Sequence, residues 1–490
     1  MTTHYIACDL GAESGRVMLG TLSNGLLSLE EIHRFPNITI RLGDSIRWDI
    51  LRTFDELKKG LQKVAQRGIA PASLSVDSWG VDYVWSGLGQ DMLAPAYIYR
   101  DPRTDARYEK ALATVGREKI FAETGIQFMS LNTLYQLIAD MENSPELVRQ
   151  ADGFLCIADY LNFLFSGVRR TEESMASTTQ IYNPVRKAWS KELISAFGFP
   201  ESAFAEIVAS GTELGLLKSS VCEETGLKGV KVVATCSHDT GAAVAAVPAG
   251  EGDDWAYLSS GTWSLIGVEL PKPLINEAVR EVNYTNEGGF GGTTRFLNNI
   301  VGLWILQECR RDWERMGVNW DYAELNRLAG EAAPLRTLID PDDSRFLKPG
   351  DMISKVEAFA RETGQPVPSN PGEFTRAILE SLALLYRHTL AKLEELTGRS
   401  IRKLHIVGGG SQSKLLNQFA ADATGRPVFA GPVEATAIGN ILIQAIAGGQ
   451  LSSLADLRKT VGDSFPIVEF QPSGKPEWME AFDRFEKIRG

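Results

Sequence analysis

The stretch HYIACDLGAESGRVMLGTL, residues 4–22, decides how the chain is read. His4 to Leu10 alternates as a strand, Gly11 to Gly15 breaks it, and Arg16 to Leu22 resumes it, so the segment reads as a hairpin with small residues and one glutamate at its tip. AYLSSGTWSLIGV, residues 256–268, repeats the plan of strand, Gly/Ser turn and strand, and its Gly261 stands 250 residues after Gly11. Either two unrelated hairpins share a pattern or a lobe has been duplicated, each copy opening on the same turn. Duplication divides the chain at 1–246 and 247–490, with the connection in VPAGEGDDW, residues 247–255, where Pro, Gly and Asp concentrate.

The 490 residues, read at roughly 150 per domain, suggest about three domains; a duplicated lobe reduces that to two large ones. Fifty Lys and Arg against 62 Asp and Glu give a net charge of -12, with no basic block, which argues against nucleic acid or an anionic membrane as a partner. No apolar run approaches the ~18 to 20 residues of a membrane span. The N-terminus lacks the basic and long apolar regions of a secretory leader, so a soluble cytoplasmic protein is expected. Five cysteines, Cys8, Cys156, Cys222, Cys236 and Cys309, are scattered without metal-ligand spacing and read as buried thiols, although a single cross-link among them is compatible with the sequence.

Between and beyond the two hairpins the pattern is α/β. From Asp49 to Gly68 the residues Ile50, Phe54, Leu57, Leu61 and Val64 fall on one helix face, and a strand starts at Leu74. Thr375 to Thr397 is a long helix stopped by Gly398, Lys403 to Val407 a buried strand, Gly408 to Gly410 a tight turn, and Leu415 to Ala423 a helix ending near Gly425. A short strand at 427–431 and an apolar helix from Glu434 complete a series that calls for a parallel sheet.

The common nucleotide and hydrolase signatures are missing: no G-x-x-x-x-G-K-[ST], no G-x-G-x-x-G after a strand, no H-E-x-x-H and no G-x-S-x-G. What remains is three glycine turns leaving strands, at 9–16, 259–264 and 408–412. Small residues let backbone N–H groups approach phosphate oxygens, although glycine turns also serve geometry alone. Asp9 either caps the first turn or holds Mg2+ through water. Asp239, in CSHDTGA after the apolar strand KVVAT, is either a helix N-cap or a carboxylate placed to take a proton from a hydroxyl, and His238 on the bland reading is a polar turn residue. SWGVDY (78–83) and YRDPRT (99–104) mix aromatics with charged groups, as sugar sites do and as salt-bridged loops also do.

At these residues the chain resembles the FGGY carbohydrate kinases, nearly end to end. DLGAESGR and SSGTWS look like the family's two phosphate loops, and GGGSQS followed by LLNQFAADATG resembles its signature at the adenosine site. GIQF (125–128), NTLYQL (132–137), TNEGG (285–289) and DPDDSRF (340–346) match one branch of the family in the same order, as does SHDT at Ser237.

The resemblance implies an actin-like, hexokinase-like fold of two ribonuclease-H-type lobes closing over ATP and sugar. It further implies ATP-dependent phosphorylation of a 6-deoxy-ketose such as L-rhamnulose at O1, with Mg2+, in a monomer or homodimer. L-fuculose, L-xylulose and related ketoses are the nearest alternatives; a sugar-responsive regulator and an actin- or chaperone-type ATPase are more distant ones. Carried over position by position, Asp239 is the general base, and Gly80, His238, Asp239, Thr240 and Asn299 match sugar-binding positions. Ala12, Glu13, Ser14, Gly15, Arg16, Thr262, Gln307 and Gly409 match nucleotide-binding positions. Glu13 departs from the smaller residue usual in the first loop, and a carboxylate there would repel phosphate unless it points outward or faces the metal.

Overall fold

The computed structural model describes residues 2–250 and 252–489. It divides into two compact units, and these are not contiguous halves of the chain. Unit 1 comprises Met1–Gly250, Glu269–Phe296 and Ala435–Ser464; unit 2 comprises Glu251–Val268, Leu297–Glu434 and Phe465–Gly490. The cut read from sequence after residue 246 falls close to the first of these boundaries, but two later segments return to unit 1.

Unit 1 is built on a six-stranded mixed sheet in the order Thr212–Leu216, Lys231–Ala234, Ser73–Ser78, Thr2–Leu10, Ser14–Ser23, Leu26–Pro36. The central strands run parallel, and the hairpin of residues 2–23 and the strand after it are antiparallel. Helix Ile50–Gln66 forms where the spacing predicts: Asp49 caps it by accepting from the Arg52 N–H at 3.2 Å, and Ile50, Leu57, Leu61 and Val64 are buried. Phe54, from the same expected face, is half-buried and packs on Phe165, with ring centroids 4.9 Å apart.

The apolar helix Ala435–Ala447 also belongs to unit 1, rather than completing the series of strands that precede it in sequence. It buries Ile438, Ile441, Leu442 and Ile443, each worth about 1.5–3 kcal/mol. A Cβ at Gly439 would stand 1.9 Å from the Ala242 carbonyl oxygen, so only glycine lets this helix approach helix Asp239–Ala245 so closely. Any side chain at 439 would push apart the two elements that flank the candidate site described below.

Unit 2 holds a sheet in which Trp255–Ser260 pairs antiparallel with Trp263–Leu270 and parallel with Lys403–Val407, followed by Val428–Ala430 and Val468–Phe470. Helix Pro371–Thr397 starts one turn earlier than the spacing predicts, because Asn370 accepts from the Glu373 N–H at 3.1 Å and Pro371 suits the first helical position. It ends at Gly398 in the left-handed conformation, φ 68°. Helix Lys414–Thr424 is closed in the same way by Gly425, φ 66°. All five cysteines are free; burial pushes the thiols of Cys8, Cys156, Cys236 and Cys309 up, away from thiolate reactivity.

Candidate active site

In unit 1 the ends of three parallel strands bring carboxylates together. Asp9 lies opposite Arg16 across the hairpin and opposite Asp77 on the neighbouring parallel strand. Cross-strand partners share a face, so Arg16 pairs with Asp9 as an ion pair and Asp77 stands beside both. Asp77 is fully buried: its Oδ2 accepts from Asn440 Nδ2 at 2.5 Å, and its Oδ1 meets no hydrogen-bond partner among the described residues. Burial, then the neighbouring Asp9, hold its carboxyl well above the usual range. Gln444, one helical turn beyond Asn440, donates to Asn440 Oδ1 at 2.7 Å and to the Ile6 carbonyl at 2.9 Å, and accepts from Ser73 Oγ at 2.6 Å. A buried polar chain therefore fixes Asn440, and through it Asp77.

The turn 236–240 closes the third strand. Ser78 N–H donates to the Ser237 carbonyl at 2.8 Å, and Ser78 bridges to His238 in parallel register, which sets the SWG segment beside the turn. Asp239 is the first helical residue and His238 the capping position, so the expected N-cap role falls one residue earlier. The Asp239 carboxylate accepts from the Thr240 N–H at 2.6 Å and from the Thr240 hydroxyl at 3.2 Å, while 30% of its side chain stays exposed. Burial of the group raises its pKa, with His238 opposing the rise. A raised, partly open carboxylate at a strand end can accept a proton from a bound hydroxyl.

Glu172, which sequence reading passed over, organises this turn from beneath. Fully buried, its Oε2 accepts from the N–H groups of Ser174 at 2.9 Å, Met175 at 3.2 Å and Ser237 at 3.0 Å, and its two oxygens also take the hydroxyls of Ser174 and Ser210. Ser174 Oγ in turn accepts the His238 N–H at 3.2 Å. One carboxylate thus ties helix Glu173–Ser177 to the strand end that carries His238 and Asp239.

Gly80 is a packing glycine: a Cβ there would lie 2.8 Å from the Thr178 side chain, whose hydroxyl accepts the Val81 N–H. Beyond it Asp82 accepts from Trp48 Nε1 at 2.6 Å, Trp79 Nε1 at 2.9 Å, Tyr99 N at 3.2 Å and Gln136 Nε2 at 3.2 Å. Burial outweighs these donors and pushes its carboxyl up to about 6. The 99–104 loop divides between its two readings: Asp101 accepts the Ile46 and Arg103 N–H groups and Arg103 pairs with Asp140, so those charges serve the fold.

The two phosphate-loop candidates share a backbone device. Gly11 N–H donates to Ser14 O, and Gly261 N–H to Trp263 O, each at 2.9 Å. Neither glycine has positive φ, and an added Cβ would make only van der Waals contact, at 3.5 and 3.8 Å. By backbone conformation and by space, neither position requires glycine. Ala12, Ser14 and Arg16 are partly exposed around the first turn, and Glu13 is exposed; Gly15 is buried where a Cβ would strike Phe35.

In unit 2 the second and third turns adjoin. Ser259 pairs with Val407, Gly408 has φ 84°, and a Cβ at Gly410 would reach within 2.0 Å of Ser260 Oγ, so these two glycines are required by packing. Gly409 between them faces open space, with nothing within 4 Å of its missing Cβ. Helix Trp304–Arg315 starts on the second turn, with Leu303 N–H donating to Gly261 O at 3.0 Å and Trp304 N–H to Thr262 O at 3.2 Å. Its Gln307 Oε1 is buried without a hydrogen-bond partner among the described residues. Asn299 also lies in unit 2, half-buried in strand Thr294–Val301. Unit 1 thus gathers Asp9 to Arg16, Gly80 and His238 to Thr240, and unit 2 holds Thr262, Gln307, Gly409 and Asn299.

No group of three or more His, Cys, Asp or Glu side chains could hold a metal ion among the described residues. Asp9, beside Asp77, is the residue that could hold an ion through water, the arrangement Mg2+ prefers, whereas Asp77 is shielded from solvent.

A pair of ribonuclease-H-like α/β units, each opening on a strand–turn–strand glycine loop, is the actin-like architecture of sugar kinases. The chain belongs to the FGGY family of carbohydrate kinases: the family's N-terminal domain matches residues 4–246 and its C-terminal domain residues 256–448. It is 43% identical over 486 residues to a rhamnulokinase of Bacteroides thetaiotaomicron, covering 99% of each chain. It is 41% identical over 467 residues to one of Halalkalibacterium halodurans, covering 95% of this chain and 98% of the relative. Among solved structures, gluconate kinase from Lactobacillus acidophilus superposes with a TM-score of 0.82 at 17% identity, covering 100% of this chain and 98% of that one. Plasmodium falciparum glycerol kinase with ADP superposes with a TM-score of 0.79 at 14% identity, covering 100% and 98%. No helix among the described residues is long and apolar enough to cross a membrane.

Proposed function

We propose that the chain transfers the γ-phosphoryl group of ATP to O1 of L-rhamnulose. The observation that carries this reading is Asp239: a carboxylate with a raised pKa at the end of a buried strand, braced from below by Glu172 and partly open above. The relatives named as rhamnulokinases, similar over nearly the whole chain, supply the substrate class. Asp239 accepts the proton of O1 as the hydroxyl attacks, and His238, Thr240, Gly80 and Asn299 orient the sugar. Backbone N–H groups of the turns at 11–16 and 261–264 receive the phosphates, with Thr262, Gln307 and Gly409 toward the nucleoside. Phosphoryl transfer asks the protein mainly for alignment and charge stabilisation, which such dipoles provide. Asp9 would hold Mg2+ through water, and the ion would supply positive charge near the phosphates.

Labour is divided in this reading along the chain: 1–246 binds sugar and carries the first phosphate loop, and 247–490 carries the second loop and the adenosine site and adds Asn299 to the sugar site. ATP as co-substrate makes the cytoplasm the compartment. The test is ADP release coupled to NADH oxidation, with L-rhamnulose, L-fuculose and L-xylulose offered in turn. L-rhamnulose should give the highest kcat/KM; a higher value for another ketose would reassign the substrate, and turnover of ATP without any sugar would replace the kinase reading with an ATPase.

A further inference from the structure

His238 stands between two groups that settle which of its nitrogens carries the proton. On one side lies Arg295, whose side chain is 0% exposed. Its Nε donates to the Gly288 carbonyl at 2.9 Å, one terminal nitrogen faces Glu287 Oε2 at 3.1 Å, and the other lies 3.0 Å from His238 Nδ1. On the other side His238 Nε2 is 3.4 Å from Asp239 Oδ1. A guanidinium has five donors and no acceptor, so the short contact to Nδ1 exists only if Nδ1 offers a lone pair. A proton on Nδ1 would oppose two donors. Glu287 Oε2 also lies 3.4 Å from Nδ1, a longer approach than that of the guanidinium, and it is itself the counter-charge to Arg295.

We propose that Arg295, held by Glu287 and the Gly288 carbonyl, is a positioning residue that locks His238 as the neutral Nε2–H tautomer, so that the ring presents a hydrogen-bond donor at the Asp239 carboxylate. The ligand atom recognised there is an oxygen acceptor, the carbonyl or a hydroxyl oxygen of an open-chain ketose. In the absence of sugar the same N–H points at Asp239 and keeps the carboxylate oriented. The ligand half of this inference rests on the sugar-kinase reading; the tautomer half does not.

The two halves are tested separately on the full chain. Long-range 1H–15N spectra of 15N-histidine-labelled protein at neutral pH, with His238 assigned by difference against His238→Gln, should show His238 Nδ1 unprotonated and Nε2 protonated. A protonated Nδ1, in either the other tautomer or the imidazolium, overturns the proposal whether or not any variant folds. Removing both buried charges together, as Arg295→Met with Glu287→Met, avoids stranding a lone carboxylate. That double variant should show His238 as a mixture of tautomers, and the KM for the ketose should rise roughly tenfold to a hundredfold. The KM for ATP should stay within about twofold, and Arg295→Lys, which keeps a donor, should recover part of the loss. A folded double variant with an unchanged tautomer or an unchanged ketose KM overturns the positioning role. Absence of turnover with every ketose in the unmodified protein would count against the functional reading and leave the spectra to decide the tautomer.

Discussion

In the turn of unit 1 the Gly11 N–H closes on Ser14 O at 2.9 Å, and in the turn of unit 2 the Gly261 N–H closes on Trp263 O at the same distance. Around that common backbone the chemistry diverges. The first turn is flanked by Asp9 and Arg16, adjoins Asp77, and shares its unit with Asp239, His238, Glu172 and Asp82. The second is flanked by Ser259, Ser260, Thr262 and Ser264, with the glycines 408–410 beside it. Buried ionisable groups adjoin the first turn; neutral hydroxyls and backbone dipoles surround the second. In a chain with a net charge of -12 the difference suits the proposed roles: phosphate would be received by N–H groups that cost little to preorganise, and titratable groups would stand where a proton moves.

The sharpest way to break this contrast is Asp239→Asn, which should lower kcat about a thousandfold while the ketose KM stays within about threefold. Retained turnover would take the base away from unit 1. Because burial raises the Asp239 pKa and the base must be ionised to work, kcat of the unmodified protein should fall with decreasing pH at a value above that of an ordinary aspartate. A pH–rate profile checks this, and no group flanking the turn in unit 2 should contribute a limb to it.

Asp82 gives the next largest effect, on stability. Its folded pKa of about 6 lies above the ordinary 3.8, so the native state binds a proton the unfolded chain lacks between those values. That contribution, about 3 kcal/mol, is fully present below the lower value and lost as pH rises through the upper one. Denaturant melts of Asp82→Asn, compared with the unmodified protein between pH 4 and pH 7, should lack this part of the slope. Glu172→Gln should cost about 2 kcal/mol in the same assay, since an amide nitrogen would face N–H and O–H donors, and should lower kcat more than it changes the KM for ATP.

The smallest effects separate the turns themselves. Gly11→Ala and Gly261→Ala should leave Tm unchanged, because a Cβ at either finds ordinary contact distances, yet should raise the KM for ATP about tenfold by obstructing phosphate. Gly410→Ala, whose Cβ would collide with Ser260, should instead lower Tm. Thr262→Val should raise the KM for ATP by about threefold, the loss of one neutral hydrogen bond, without moving the pH profile.

Much of the fold was legible because it follows local rules. The two hairpins, the face of helix Ile50–Gln66, and the ends of helices Pro371–Thr397 and Lys414–Thr424 at Gly398 and Gly425 are each written within a few residues. Asp239 and the glycine turns stood out for the same reason. Asp77 carried a faint signal, the single charge in strand Ser73–Ser78; Glu172 and Arg295 carried none, since an isolated charge in sequence gives no hint that it is buried.

What the sequence by itself determined is the set of turns, caps and amphipathic faces. Only the tertiary structure decided that helix Ala435–Ala447 returns to unit 1, that Asn440 meets Asp77 across 363 residues of chain, and that Arg295 holds His238 from 57 residues away. The reason is physical. Periodicity and capping report the environment of one element, whereas the partner of a buried charge is chosen by which distant segment can satisfy it once water is excluded.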